Sequence, residues 1–282
     1  MRRQGATPTG RRPGKWPWRA IVDAIRYVNQ TGCQWRALPR DFPPAWTVFG
    51  FFSRWHRAGV TYQVMAALSE RQRLREGKNP RSVTIVVDSQ TIKGDACVGQ
   101  ATRGYDGGRK IDGRKRHVAV DLRGTPVMMM VTPADLQDRD AAREILFRLR
   151  LTHPEITLVW ADSAYGGQLI DRARTRLRIT LKTVSRRGQK GFVLQPKRWV
   201  VERSISWLMR SRRYCRDYER TITHAESHLA WTAITLTLAR LVKPVPTHWR
   251  EPAPPPIPTQ PKPLRLTGRP LRLHPLAVAL AR

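Results

Sequence analysis

The chain has 282 residues, with 52 Lys and Arg against 21 Asp and Glu, for a formal net charge of +31. That length allows one substantial core or two modest domains, and that charge calls for a polyanionic partner. Cys33, Cys97 and Cys215 form no Cys-x-x-Cys, which argues against a disulfide framework or a zinc ribbon and for a reducing cytosol. The start, Met1-Arg2-Arg3, is followed by no apolar run of signal-peptide type, and the longest apolar stretch, Ala230 to Val242, is too short and Thr-rich to span a bilayer.

Residues 1–15 lack periodicity and read as a flexible basic arm. From Trp18 the pattern is helical, with Ile21, Ile25 and Val28 on one face and Gly32 as a stop. A second helix begins at Thr47, turns Val48, Phe52 and Trp55 inward and ends at Gly59. Thr61 caps a third, carrying Val64, Met65 and Leu68. Together these make 16–78 a small helical bundle of helix-turn-helix character, expected to bind DNA. Lys78-Asn79-Pro80 breaks the pattern and marks a boundary.

Over 81–243 strands and helices alternate. Strands are expected at Ser82–Asp88, His117–Asp121, Pro126–Thr132, Ile156–Asp162 and Ile179–Thr183. Helices are expected from the cap Asp138 through Leu149, then at Gly167–Arg176, Arg198–Arg213 and His224–Leu241. The order β-β-β-α-β-α-β-α-α is that of an α/β fold with a mixed sheet flanked by helices. Residues 244–282 hold 11 of the 22 prolines and read as a disordered Pro-rich basic tail.

Three carboxylates stand out against this basic background. Asp88 and Asp162 each end a β-branched or apolar run, and Glu202 lies in the Arg-rich segment Lys197-Arg198-Trp199-Val200-Val201-Glu202-Arg203. Such a trio can hold two divalent cations against a phosphodiester, and hard Mg²⁺ prefers carboxylate oxygen. On a continuous helix Arg198 falls about 40° and Arg213 about 20° from Glu202, giving an Arg-Glu-Arg stripe suited to phosphates. The alternative is a surface ion-pair ladder of little energetic weight. Arg203 and Arg210 share that segment as candidate DNA contacts, and Trp199 is a candidate for base stacking. The Gly-rich stretch at 104–116 offers Arg109, Lys110, Arg114, Lys115 and Arg116, either for DNA or as an ordinary solvated hairpin. His224 and His228 sit at i, i+4 without a third ligand and read as a solvated helix face.

Several of these segments, in this order, resemble the DDE transposases of bacterial insertion sequences. They are Val86-Val87-Asp88-Ser89-Gln90-Thr91, Gly104-Tyr105-Asp106, Pro133-Ala134-Asp135-Leu136-Gln137-Asp138, Trp160-Ala161-Asp162-Ser163-Ala164-Tyr165-Gly166 and Trp199-Val200-Val201-Glu202-Arg203. Thr31-Gly32-Cys33-Gln34-Trp35-Arg36 resembles the family's N-terminal helical region. The resemblance implies a ribonuclease H-like core with Asp88, Asp162 and Glu202 as catalytic ligands of two Mg²⁺, for which Mn²⁺ can substitute. It also implies cleavage at terminal inverted repeats, strand transfer to target DNA, a dimer when two ends are synapsed, and a nucleoid-associated cytoplasmic location. The third signature departs from the family at its Tyr and Lys places, which hold Gln195 and Met209; Arg210 and Arg213 are both open for the Lys role. A start close to the first helix and the Pro-rich end keep a shortened, end-binding copy in view. An ordinary nuclease on the same fold is the other rival.

Overall fold

The computed structural model describes residues 15–184 and 197–243. The arm and the Pro-rich tail therefore lie outside the described residues, apart from Lys15, and so does Gln195.

Three helices open the fold, α1 (Trp18–Thr31), α2 (Ala45–Arg57) and α3 (Val60–Arg75). Gly32 ends α1 in the left-handed region at φ 71°, with its N–H on the Val28 carbonyl, a cap that glycine adopts without a Cβ penalty. The cap positions of α2 and α3 are Pro44 and Gly59, three and two residues ahead of Thr47 and Thr61. Thr61 instead turns inward and meets His56 Nδ1 at 3.4 Å.

The sheet has six strands: β1 (Thr84–Lys93), β2 (Gly104–Asp106), β3 (Ile111–Asp121), β4 (Pro126–Pro133), β5 (Leu158–Asp162) and β6 (Thr180–Val184). Its order is β2-β3-β1-β5-β6, with β4 also pairing β3. β1, β5 and β6 are parallel, while β3 runs antiparallel to β1, β2 and β4. Between and after the strands come α4 (Asp138–Thr152), α5 (Gln168–Arg172) with a π-helical turn at Ala173–Leu177, α6 (Arg198–Leu208), α7 (Arg212–Cys215) and α8 (Ile222–Val242). This mixed α/β architecture fits a ribonuclease H-like fold.

Strand alternation sorts the core into two layers. Ile85, Val87, Ala119, Met128 and Met130 face α4 and α5. Val86, Val118, Val120, Met129 and Val131 face the other way, and their cluster continues through α6 and α8 into α1–α3. α8 is buried along most of its length because it is covered on one side by the sheet and on the other by the first three helices, as a helix apolar all round must be. His224 and His228, expected on a solvated face, are instead packed beside Phe49 and Phe52 of α2.

Three expectations are corrected. β1 does not end at Asp88 but runs five residues further, its pairing with β3 carrying it to Lys93↔Gly113. β3 starts at Ile111, so Arg114, Lys115 and Arg116 belong to a strand inside the sheet rather than to a loop. The helix from Arg198 stops at Leu208, and a turn separates it from α7. Close strand packing also explains Gly113: a Cβ there would run into the Ile92 carbonyl oxygen. Gly113→Ala should therefore destabilise the fold strongly, seen as a lower thermal midpoint than that of Gly107→Ala, where no atom lies within 4 Å of the added Cβ.

Candidate active site

Two strands and one helix build the site. The parallel ladder of β1 and β5 runs from Thr84↔Leu158 to Val86↔Trp160. Two residues further, the same register brings Asp88 opposite Asp162, and strand alternation turns both towards α6. Because β5 ends at Asp162 while β1 continues, the edge of β1 is open on this side just where Asp88 stands. Arg198, in the first turn of α6, lines one small crevice with Asp88, Ala161, Asp162 and Val184. Glu202 follows one helical turn later and is half exposed.

Local bonds fix the two strand carboxylates. The Ser89 N–H donates to Asp88 Oδ1 at 2.8 Å, and the Ala164 N–H donates to Asp162 Oδ1 at 2.9 Å, capping a short 3₁₀ turn at Ser163–Tyr165. Asp88 is only 9 % exposed. Burial pushes its carboxyl up to about 6; the Ser89 N–H and Arg198 pull against this, and Asp162 and Glu202 add to it. Glu202 is held by Arg198 at 3.0 Å.

Among the described residues no group of three or more His, Cys, Asp and Glu side chains is close enough to hold a metal ion. The donor chemistry nonetheless fits a hard divalent cation: a buried carboxyl raised by burial and by two like charges is a group that a cation would stabilise.

The candidate DNA contacts divide. Arg109 and Lys110 are exposed at the tip of the β2–β3 hairpin, where Asp106 accepts the Gly108 and Arg109 N–H groups at 3.1 Å each. Arg210 is exposed beyond the end of α6. Arg203 stacks between Trp199 and Trp207, 4.4 and 4.5 Å from the two ring centres, and Trp199 is 40 % exposed.

Four contacts are corrected to structural roles. Arg114 is fully buried: it pairs with Asp217 at 3.1 Å and donates to the carbonyls of Thr102 and Glu219, each at 2.9 Å. Arg116 is buried over the Tyr214 ring and donates to the Tyr214 carbonyl. Lys115 points to the opposite face, donating to the Leu136 carbonyl at 2.8 Å with Asp138 at 3.5 Å. Arg213 lies on α7, not on the stripe of Glu202; it grips Glu219 at 2.5 Å and donates to the Cys33 carbonyl at 3.3 Å. In each case the strand or turn that the residue belongs to, rather than its charge, sets its direction.

Ser89 and Asp138 meet behind the carboxylates, the Ser89 hydroxyl donating to Asp138 Oδ1 at 3.0 Å; Asp138, expected as the cap of a helix, is instead the first residue of α4, with Gln137 in the cap position. The sequence signal for Ser89 lies in β1, where apolar Ile85 and Val87 are followed on the same face by polar Ser89 and Thr91.

Residues 79–238 match the family model described as "Transposase DDE domain", and residues 1–65 match "Putative transposase of IS4/5 family". The chain is also similar to the Burkholderia cepacia protein named "Putative transposase for insertion sequence element IS402", with 31 % identity over 115 residues, 38 % of this chain and 54 % of that protein. The chain thus spans about half the length of this curated relative. Among the described residues no helix is long and apolar enough to cross a membrane. Since the DDE model alone covers more than half of the chain, and Asp88, Asp162 and Glu202 all fall within it, the protein belongs to the DDE transposases of bacterial insertion sequences.

Proposed function

We propose that this transposase cleaves DNA at the ends of its own element and joins the freed 3′-hydroxyl to target DNA, with Asp88, Asp162 and Glu202 as the catalytic carboxylates. The observation that carries the reading is the register of β1 and β5, which continues to put Asp88 beside Asp162 on the face that α6 covers. Asp88, Asp162 and Glu202 would hold the divalent cations. Bound Mg²⁺, or Mn²⁺ in its place, would supply activation of the attacking oxygen and charge stabilisation at the leaving one. The chain's own contribution is placement. Release of Glu202 from its pair would free the Arg198 guanidinium for a phosphate oxygen, for which its planar fork is suited.

Residues 16–78 would recognise the terminal inverted repeats and 81–243 would carry the chemistry, with Arg109, Lys110, Arg203 and Arg210 along the path of the backbone. Holding two ends at once calls for a dimer on DNA. The decisive experiment supplies pre-cleaved ends bearing a free 3′-hydroxyl together with a target duplex. Joined product is expected; cleavage without joining would mark an ordinary nuclease, and end binding without either would mark a repressor-like copy.

A smaller prediction concerns the hairpin tip. Replacing both Arg109 and Lys110 by Ala removes two exposed cations, so the slope of log affinity against log salt should become shallower by roughly 2, at about 0.9 per phosphate contact. An unchanged slope in a salt titration would remove the tip from the DNA path.

A further inference from the structure

The hairpin of β2 and β3 carries two exposed cations at its tip, Arg109 and Lys110. Turn stability does not account for either. Lys110 stands in the left-handed region at φ 57°, a conformation that glycine adopts freely and that costs a residue with a Cβ. Two adjacent like charges also repel each other. On stability alone the turn would do better with a glycine and a neutral residue, so these side chains point to a partner outside the fold.

One carboxylate holds this tip in place. Asp106 Oδ1 accepts the N–H groups of Gly108 and Arg109 at 3.1 Å each, which shapes the turn. A local turn needs only that oxygen. The other one, Oδ2, reaches into the sheet: it accepts the Thr91 hydroxyl at 2.6 Å and faces the Lys115 ammonium at 4.0 Å. Thr91 and Lys115 lie directly opposite each other in the β1–β3 ladder, and both are buried. Thr91 belongs to the strand that carries Asp88, three residues beyond it. Burial opposes ionisation of Asp106, but the Thr91 hydroxyl, the two N–H groups and Lys115 outweigh it and hold the carboxyl below its usual range. The base of the hairpin is fixed as well, since a Cβ at Gly104 would overlap the Asp135 carboxylate just ahead of α4.

We propose that Asp106 and Thr91 are positioning residues for DNA. They lock the tip formed by Arg109 and Lys110 to the strand of Asp88, so that a phosphodiester backbone held at the tip keeps a fixed offset from the carboxylates. This rests on the reading of Arg109 and Lys110 as backbone contacts. Each step of the link is a hydrogen bond, from the tip N–H groups to Asp106 and from Asp106 to Thr91. A tip released from β1 would have to be ordered by the DNA as it binds, which weakens association. The backbone it holds would also shift relative to Asp88, which slows the chemical step.

The test uses the full chain. Thr91→Val keeps the shape and β-branching and removes only the hydroxyl, Thr91→Ser keeps the hydroxyl, and Asp106→Ala removes both halves of the link. Each is made in the parent and in an Arg109→Ala/Lys110→Ala background. Three quantities are measured: the thermal midpoint, affinity for a fluorescein-labelled element end, and single-turnover cleavage of that end at saturating DNA with Mg²⁺. In the parent background Thr91→Val should bind roughly 5- to 10-fold more weakly and cut roughly 3-fold more slowly, and Asp106→Ala should lose at least as much. Thr91→Ser should stay within about 2-fold of the parent, since it can still donate to Asp106. Without the tip cations, neither Thr91→Val nor Asp106→Ala should weaken binding further, because the link acts only through the tip. Equal losses in both backgrounds, with a lowered thermal midpoint, would show a general effect on the fold and overturn the proposal. Two outcomes separate the link from the reading it rests on. If Arg109→Ala/Lys110→Ala itself binds and cuts like the parent, the tip lies off the DNA path and that reading fails. If it binds weakly while Thr91→Val and Asp106→Ala behave like the parent, only the link fails.

Discussion

Asp88→Asn and Asp162→Asn should each lower cleavage at element ends by about 1,000-fold or more while leaving end binding within a factor of about 2 of the parent. The physical basis is the charge change at constant shape. Asn keeps the side-chain volume and can still accept the Ser89 N–H at position 88 or the Ala164 N–H at position 162, so the strand ends should keep their local geometry. What is lost is the negative charge that attracts a hard cation, for which a neutral amide oxygen is a poor replacement. Glu202→Gln should behave in the same way, with one difference. It also dissolves the ion pair with Arg198, so the guanidinium is released and DNA affinity should rise slightly rather than fall. Binding is measured by fluorescence anisotropy on a labelled end, and cleavage on the same end with Mg²⁺ added. Parental cleavage rates in the Asn variants would remove these residues from the chemistry.

The second large effect is on stability. Arg114→Ala and Arg213→Ala should each cost about 3–5 kcal/mol, the range for leaving a buried charge without its partner. Arg114 and Asp217 are essentially without solvent exposure, and Arg213 and Glu219 are below one-tenth exposed, so water cannot take the place of the missing guanidinium. For a described region of this size the thermal midpoint should fall by roughly 10 °C. Arg210→Ala, at an exposed position, should melt like the parent. A parental melting curve for Arg213→Ala would restore it as a candidate DNA contact. Acid should reproduce part of the same loss. Burial opposes ionisation of Glu219, but His228 and Arg213 outweigh it and hold the carboxyl well below its usual value of 4.5. The stability that Glu219 supplies is therefore complete above that unfolded-state value and disappears as pH falls through the lower folded-state one.

These two sets of residues show how differently charge reads in sequence and in space. Asp88 and Asp162 were legible because each closes a run of strand-forming residues, and a carboxylate there interrupts an otherwise apolar pattern. Glu202 was legible from its place in an Arg-rich helix, and the pair with Arg198 follows from i, i+4 spacing alone. Arg114 and Arg116 were read as DNA contacts because a basic run beside glycines looks solvated, and Arg213 because a continuous helix would have put it on the stripe of Glu202. Instead β3 extends back to Ile111, and the alternation of a strand sends Arg114 and Arg116 into the layer shared with α7 while Lys115 goes to the other.

From sequence alone come the elements and their order. Apolar spacing predicts α1 to α3 within a few residues, runs rich in apolar and β-branched residues predict β4, β5, β6 and the first half of β1, and Gly32 marks a helix end by its tolerance of positive φ. These are properties of neighbouring residues, so local pattern suffices. Tertiary structure alone decides what depends on residues far apart in the chain. It determines that β1 continues past Asp88 because β3 pairs with it to Gly113, that α8 is buried between the sheet and the first three helices, and that Arg213 turns away from Glu202 once a turn intervenes after Leu208. Partners of this kind satisfy backbone groups and charges at a distance, and strand registry and buried pairing are settled by the whole set of those partners rather than by any window of sequence.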